Sequence, residues 1–183
     1  MSEEKIIRHC SPTLAGIKTG NMFSHFYKNK KEMHEDLRKF NKSLCRKGLC
    51  ALPLRFENNR ALIYIYRPAR LSCDLKNSTA CRILRERGYE TEAPARCGAE
   101  LRRRVSACDE FPHEIGLFLG YPPEDVCGFI ENREDDCKCV GAWKVYGDKK
   151  KAEELFEKYK KCTAVYCEQH SKGRSIERLT VSY

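Results

Sequence analysis

FPHEIGLFLGYP, residues 111–122, sets a histidine beside a glutamate at the start of a short apolar segment. A zinc-protease helix needs that pair plus a second histidine four residues after the first. Two imidazoles then meet one metal, and the glutamate serves as general base. Position 117 is Leu here, so no zinc site of that type exists. His113 is left with two roles: a capping or core residue, or a site residue at a helix start, where the positive helix end disfavours its protonated form. Cys10, in HCSPTLAGIKTG (9–20), is the second candidate. Its surroundings predict a short helix with Ser11 as N-cap, Pro12 at the first helical position and Gly20 just past the end. A thiol one residue ahead of such a cap feels unsatisfied N–H groups and the helix dipole, which favour thiolate, and His9 and Lys18 add positive charge. A nucleophilic Cys10 would need a base, and His113 is the mid-chain histidine that can supply one. The alternative is a structural thiol that fixes the entry of the chain.

Arg67 closes the run LIYIYRP just before Pro68. An arginine at a strand end near a helix N-terminus suits a carboxylate or phosphate, and a surface salt bridge is the competing role. Lys18 and Asn21, in AGIKTGN, and Glu114 complete the candidate ligand-binding set. AGIKTGN lacks the order of a phosphate loop.

The chain has 12 cysteines, and none of them form C-x-x-C, which removes zinc-ribbon, thioredoxin and ferredoxin patterns. Cys162 and Cys167 would sit about 140° apart on a helix, and Cys73 and Cys81 about 12 Å apart along one, so neither pair shares a metal. EDDCKC (134–139) offers the close ligands, Cys137 and Cys139 beside carboxylates, with a solvated loop as the alternative. The remaining thiols read as small buried hydrophobes.

These groups must be positioned by 183 residues of 41% apolar and 33% charged composition, enough for one domain with its own core. No apolar run reaches a membrane span, and MSEEKIIRHC has no apolar signal region, so the expectation is a cytoplasmic protein with no membrane partner. The net charge of +9 invites a nucleic-acid reading. Its distribution argues against one, because the basic runs at 28–47 and 148–161 interleave acids at helical spacing and RRR (102–104) is the one pure cluster. Helices are predicted over 30–46, 71–87, 98–108, 112–119, 123–131 and 149–170, and strands over 52–56, 60–67, 141–146 and 177–182. Elements of both kinds without regular alternation give α+β: a single domain, 1–183, with a small mixed or antiparallel sheet of about four strands.

HCSPTLAGIKTGNMF, LIYIYRP, FPHEIGLFLGYPPEDVCGFIEN, AWKVYGD, FEKYKKCTAVYC and RLTV together resemble the bacterial family numbered 3793 among domains of unknown function, found mostly in anaerobic clostridia-like organisms. The resemblance spans residues 9 to 182. It implies a single-domain cytoplasmic protein and a redox- or iron-related protein partner, but no activity. Where the family tends to show CAPTLAGLKPANLF, this chain has Ser11, Thr19 and Gly20, and it keeps Cys10, Lys18 and Asn21. Three functions stay open. The first is binding of a small anionic ligand by the 9–21 segment, Arg67 and the 111–116 segment, with Cys10 as reactive or ligating thiol. The second is handling of iron or another soft metal through the thiols, and the third a basic nucleic-acid or partner-binding module. No cofactor is assigned.

Overall fold

A computed structural model describes residues 1–107, 111–132 and 136–182. In chain order these form α1 (Glu3–Leu14), β1 (Gly20–Phe26), α2 (Lys30–Leu44), a 3-10 turn (Cys45–Lys47), β2 (Cys50–Glu57) and β3 (Arg60–Tyr66). Next come α3 (Pro68–Asp74), α4 (Ser78–Glu86), α5 (Pro94–Ala107), α6 (Ile115–Phe118) and α7 (Pro123–Asn132). The chain ends with β4 (Cys139–Val140), β5 (Lys144–Val145), α8 (Lys149–Ser171) and α9 (Ile176–Leu179). The class is α+β, as the sequence implies.

The main sheet is antiparallel in the order β1-β3-β2. Both faces of its central strand are covered, and period-2 alternation along RALIYIY divides the core accordingly. Ala61, Ile63 and Ile65 face α1 and α2, where Ile6, Ile7, Cys10, Leu14, Met33, Leu37 and Leu44 are buried. Tyr64, with Leu62 and Tyr66, faces the opposite layer, which holds Leu71, Leu84, Leu101, Val105 and Phe118. On β2 a register shift between Pro53 and Arg55 turns Phe56 to the first face, while Leu52 and Leu54 stay on the second. One extra residue exchanges the faces of everything that follows it. Pro53 is tolerated because β2 is an edge strand. The β2–β3 hairpin turns at Asn58 and Asn59, with φ of 46° and 58°, conformations that asparagine accepts more readily than most residues. A third cluster, of Trp143, Val145 and Ala152 with Tyr121, Phe156 and Tyr159, joins the β4–β5 hairpin to α8. No helix among the described residues is long and apolar enough to cross a membrane.

Several sequence expectations need correction. The first helix begins at Glu3, and Ser11 and Pro12 lie near its end. Ile6, Ile7, Cys10 and Leu14 form one apolar stripe whose burial outweighs the local cap signal. The Ser11 hydroxyl donates back to the Ile7 carbonyl (2.5 Å) instead of capping. The expected 71–87 helix is two helices, because the Asn77 side chain accepts from the N–H groups of Thr79 and Ala80 and starts α4 afresh. The sheet contains GNMFSHF, whose alternation is blurred by its position at an edge, in place of the 141–146 and 177–182 segments. Residues 144–145 pair with 139–140 in a separate hairpin. Residues 176–179 form a helix capped by the Ser175 hydroxyl. Cys108, the last residue of the expected 98–108 helix, lies outside the described residues.

Arg67 binds these parts together. Fully buried at the end of β3, it donates from Nε to the Thr13 carbonyl (2.7 Å) and from Nη2 to those of Leu14 (2.7 Å) and Val181 (2.8 Å). Nη1 donates to the Lys47 carbonyl at 3.2 Å, and the Arg67 backbone N–H donates to Thr19 (2.9 Å). One planar cation therefore serves the C-terminal carbonyls of α1, the 3-10 turn and the chain end, and it sits where the helix dipole is negative. Replacing Arg67 with Met should lower stability by on the order of 4 kcal/mol, because four carbonyls lose a charged donor and, among the described residues, those of Lys47 and Val181 keep no other. Arg67→Lys should recover little of this, since an ammonium lacks the fork that reaches diverging carbonyls. Urea denaturation of both variants checks the expectation.

Candidate functional site

Lys18 follows the turn that ends α1. Gly16, with φ of 73°, reverses the chain there, and the N–H groups of Ile17 and Lys18 both donate to the Pro12 carbonyl (3.0 and 3.1 Å). This turn aims the side chain inward, so the residue is only 5% exposed. Its ammonium lies 5.2 Å from the ring centre of Tyr121 and 5.9 Å from that of Tyr159. Tyr121 arrives because Gly120, also at φ 73°, brings its backbone against Thr19, where a Cβ would meet the threonine hydroxyl at 2.7 Å. Among the described residues, no carboxylate pairs with this ammonium and no hydrogen bond accepts from it; the two rings are its contacts. Ring faces stabilise a cation without neutralising it. Burial accordingly lowers the Lys18 pKa to about 8.

The ammonium borders a cavity of about 280 Å³, whose other walls include His9, Asn21, Phe156, Tyr159, Lys160 and Thr163. Asn21 accepts from the Thr13 hydroxyl through its carboxamide oxygen (2.7 Å), which leaves its NH2 to donate. Thr13 is itself held by Arg67, so the buried arginine sets the position of this wall. His9 stacks on Phe23 with ring centres 5.8 Å apart. Burial, then Lys5 and Arg8, lower the His9 pKa, so its neutral form is favoured. Phe156, Tyr159, Lys160 and Thr163 share one face of α8 at helical spacing. The sequence presents that stripe as core, and the tyrosine and threonine in it are the signal that part of it borders a cavity.

The structure brings together part of the set named from sequence. Lys18 and Asn21 share the cavity. Cys10 lies beside Lys18 but is fully buried in the third turn of α1, not ahead of a helix start. Burial pushes its thiol well above the ordinary range, and the Lys18 charge offsets only part of that, so the expected thiolate is disfavoured. The Arg67 guanidinium is occupied by backbone carbonyls, which corrects its assignment as a ligand-binding group. Glu114 is also buried and structural: it accepts from Tyr89 (3.0 Å) and pairs with Arg87 (3.5 Å) and Arg104 (3.8 Å). His113 lines a different, larger cavity of about 630 Å³ with Phe111, Phe129 and Trp143. Its ring meets Phe129 edge-on, 5.1 Å between centres. The carboxylate in that cavity, Asp125, is taken up by Trp143 Nε1 (2.7 Å) and the N–H groups of Tyr146 (2.8 Å) and Gly147 (2.7 Å). Cys139 opens β4 and Cys137 precedes it. Of the three carboxylates proposed beside them, Glu134 and Asp135 lie outside the described residues, and Asp136 has a φ of 60°. Among the described residues no three histidines, cysteines or carboxylates cluster to hold a metal.

Fold and site define an α+β protein with a buried, ring-contacted lysine at the mouth of a small cavity. The chain belongs to the family described as Protein of unknown function (DUF3793), whose model matches residues 6–180. No curated protein and no solved structure matches it.

A lysine depressed to about 8 from an ordinary value near 10.4 costs stability while it is charged. The cost is fully present below pH 8 and is relieved as pH rises towards about 10.4, because the unfolded chain then holds the extra proton. The titratable groups around it are His9 and Cys10 of α1, Tyr121, and Tyr159 and Lys160 of α8. Lys18→Met should therefore exceed the parent in stability at pH 7, and that advantage should shrink across the window from pH 8 to 10. Paired urea titrations at several pH values measure it, and a flat difference would contradict the buried charge.

Proposed function

We propose that this protein binds a small anionic metabolite in the Lys18 cavity, within the cytoplasm. The observation that supports the reading is a buried ammonium that meets two aromatic rings and, among the described residues, no counter-charge at the wall of an open cavity. Evolving a fold around an unneutralised charge is costly unless something with the opposite sign visits it. A carboxylate or phosphate there would accept from Lys18 and the Asn21 NH2, with the Thr163 hydroxyl and the Lys160 ammonium at the rim. Phe156 and Tyr159 offer flat apolar surface to a short carbon skeleton. The cavity volume of about 280 Å³ lies at the lower edge of the range for ligand sites, so the ligand is small. Cys10, one layer behind Lys18, acts in this reading through packing and not as a nucleophile.

Calorimetric titration with inorganic phosphate and a panel of small mono- and dicarboxylates tests the proposal. At least one should bind the parent chain, and Lys18→Met should lose about 2 kcal/mol or more, roughly 30-fold in Kd. Binding should also raise the Lys18 pKa, so affinity falls as pH climbs past the free-state value of about 8 and levels off above that of the bound state. A panel that binds parent and Lys18→Met alike, or neither, would overturn the assignment.

A further inference from the structure

Two thiols lie together at the turn whose Lys47 carbonyl Arg67 holds. Cys45 opens the 3-10 turn after α2, and Cys50 is the first residue of β2. Gly48, at φ 73°, folds the chain between them so that the two Sγ atoms are 3.5 Å apart. Among the described residues, no other two thiols hydrogen-bond to each other. Cys45 is exposed and Cys50 half-buried, so an external reagent reaches the first and the second waits behind it. Burial, followed by the hydrogen bond to Cys45, pushes Cys50 up to about 12. The turn itself is fixed from both ends: Lys47 donates its ammonium to the carbonyls of Glu177 (2.5 Å) and Thr180 (3.0 Å), and its own carbonyl accepts from Arg67.

We propose that Cys45 and Cys50 form a dithiol–disulfide site that exchanges with small disulfides, Cys45 attacking and Cys50 resolving. The Cys45 thiolate attacks one sulfur of RS–SR, forming a Cys45–SR bond, breaking the RS–SR bond and releasing RS⁻. Cys50 then gives up its proton and attacks the Cys45 sulfur, forming the Cys45–Cys50 bond and expelling the second RS⁻. The two protons lost by the protein go to the two released thiolates, so the dithiol is oxidised and RSSR is reduced to 2 RSH. Closing the sulfurs from 3.5 Å to the bonded length needs an approach of about 1.5 Å, within reach of rotation about the side chains. The site is separate from the Lys18 cavity and does not rest on its function.

The test uses the native full chain in oxidised and reduced glutathione mixtures, quenched with acid, alkylated and digested with trypsin. Trypsin cuts after Lys42, Arg46, Lys47 and Arg55, so the bridge is read as peptide 43–46 joined to 48–55. This joined pair should be the first internal disulfide formed as the mixture becomes more oxidising, and Cys45 and Cys50 should lose alkylation together. Cys50→Ser should stop the reaction halfway and accumulate glutathione on Cys45, while Cys45→Ser should leave Cys50 alkylatable. The proposal is overturned if both thiols stay alkylatable while other cysteines oxidise, or if Cys45 in Cys50→Ser gains no adduct. Should a variant fail to fold, the joined peptides in the unaltered chain still decide.

Discussion

Burying the Arg67 guanidinium is the constraint on which the remaining structure turns. A cation with no exposure must be surrounded by acceptors, and here the acceptors come from α1, from the turn after α2 and from the chain end. The Lys47 and Val181 carbonyls take their hydrogen bonds from this guanidinium, while those of Thr13 and Leu14 also accept from the N–H groups of Gly16 and Val181, so arginine and backbone offset each other's desolvation. The arrangement links residues 13, 47, 67 and 181, distant in sequence, and it fixes where α1 must stop. Where α1 stops decides where the next turn sends Lys18.

The two buried cations then differ in an instructive way. Arg67 is saturated with hydrogen bonds and reads as architecture. Lys18 is buried nearly as deeply, yet it meets ring faces beside an open volume. Ring quadrupoles offset only part of the cost of removing an ammonium from water, which is why burial lowers the Lys18 pKa. A residue held at such a cost beside a cavity is a better functional candidate than one whose partners account for it fully.

Periodicity made much of this architecture legible in advance. The 4-3-4 pattern of Met33, Leu37, Phe40 and Leu44 locates α2, and the long stripe from Ala152 onward locates α8. The Asn58-Asn59 turn locates the hairpin. What local signals misjudge is set by tertiary contact. Ser11-Pro12 looks like a helix start, and only the burial of Ile6 and Ile7 on the first face of the sheet shows it to be a helix end. GNMFSHF has no clean alternation because an edge strand is covered unevenly. Lys18 and Asn21, which line one cavity, stand close together in the sequence, whereas Tyr121 and Tyr159 reach Lys18 from segments over 100 residues further along the chain, where no local signal points to it. The position of Arg67 at a strand end says that it points inward, not whether a ligand or a carbonyl awaits it.

The proposed role of Lys18 is that of a buried ammonium that takes up an anion. Nuclear magnetic resonance of the lysine side chains, with the Lys18 resonance assigned by its absence in Lys18→Met, reads its titration directly. A midpoint near 8 is expected in the free protein, with an upward displacement when a binding anion is added. A midpoint near the ordinary lysine value of about 10.4, unmoved by any anion, would contradict it.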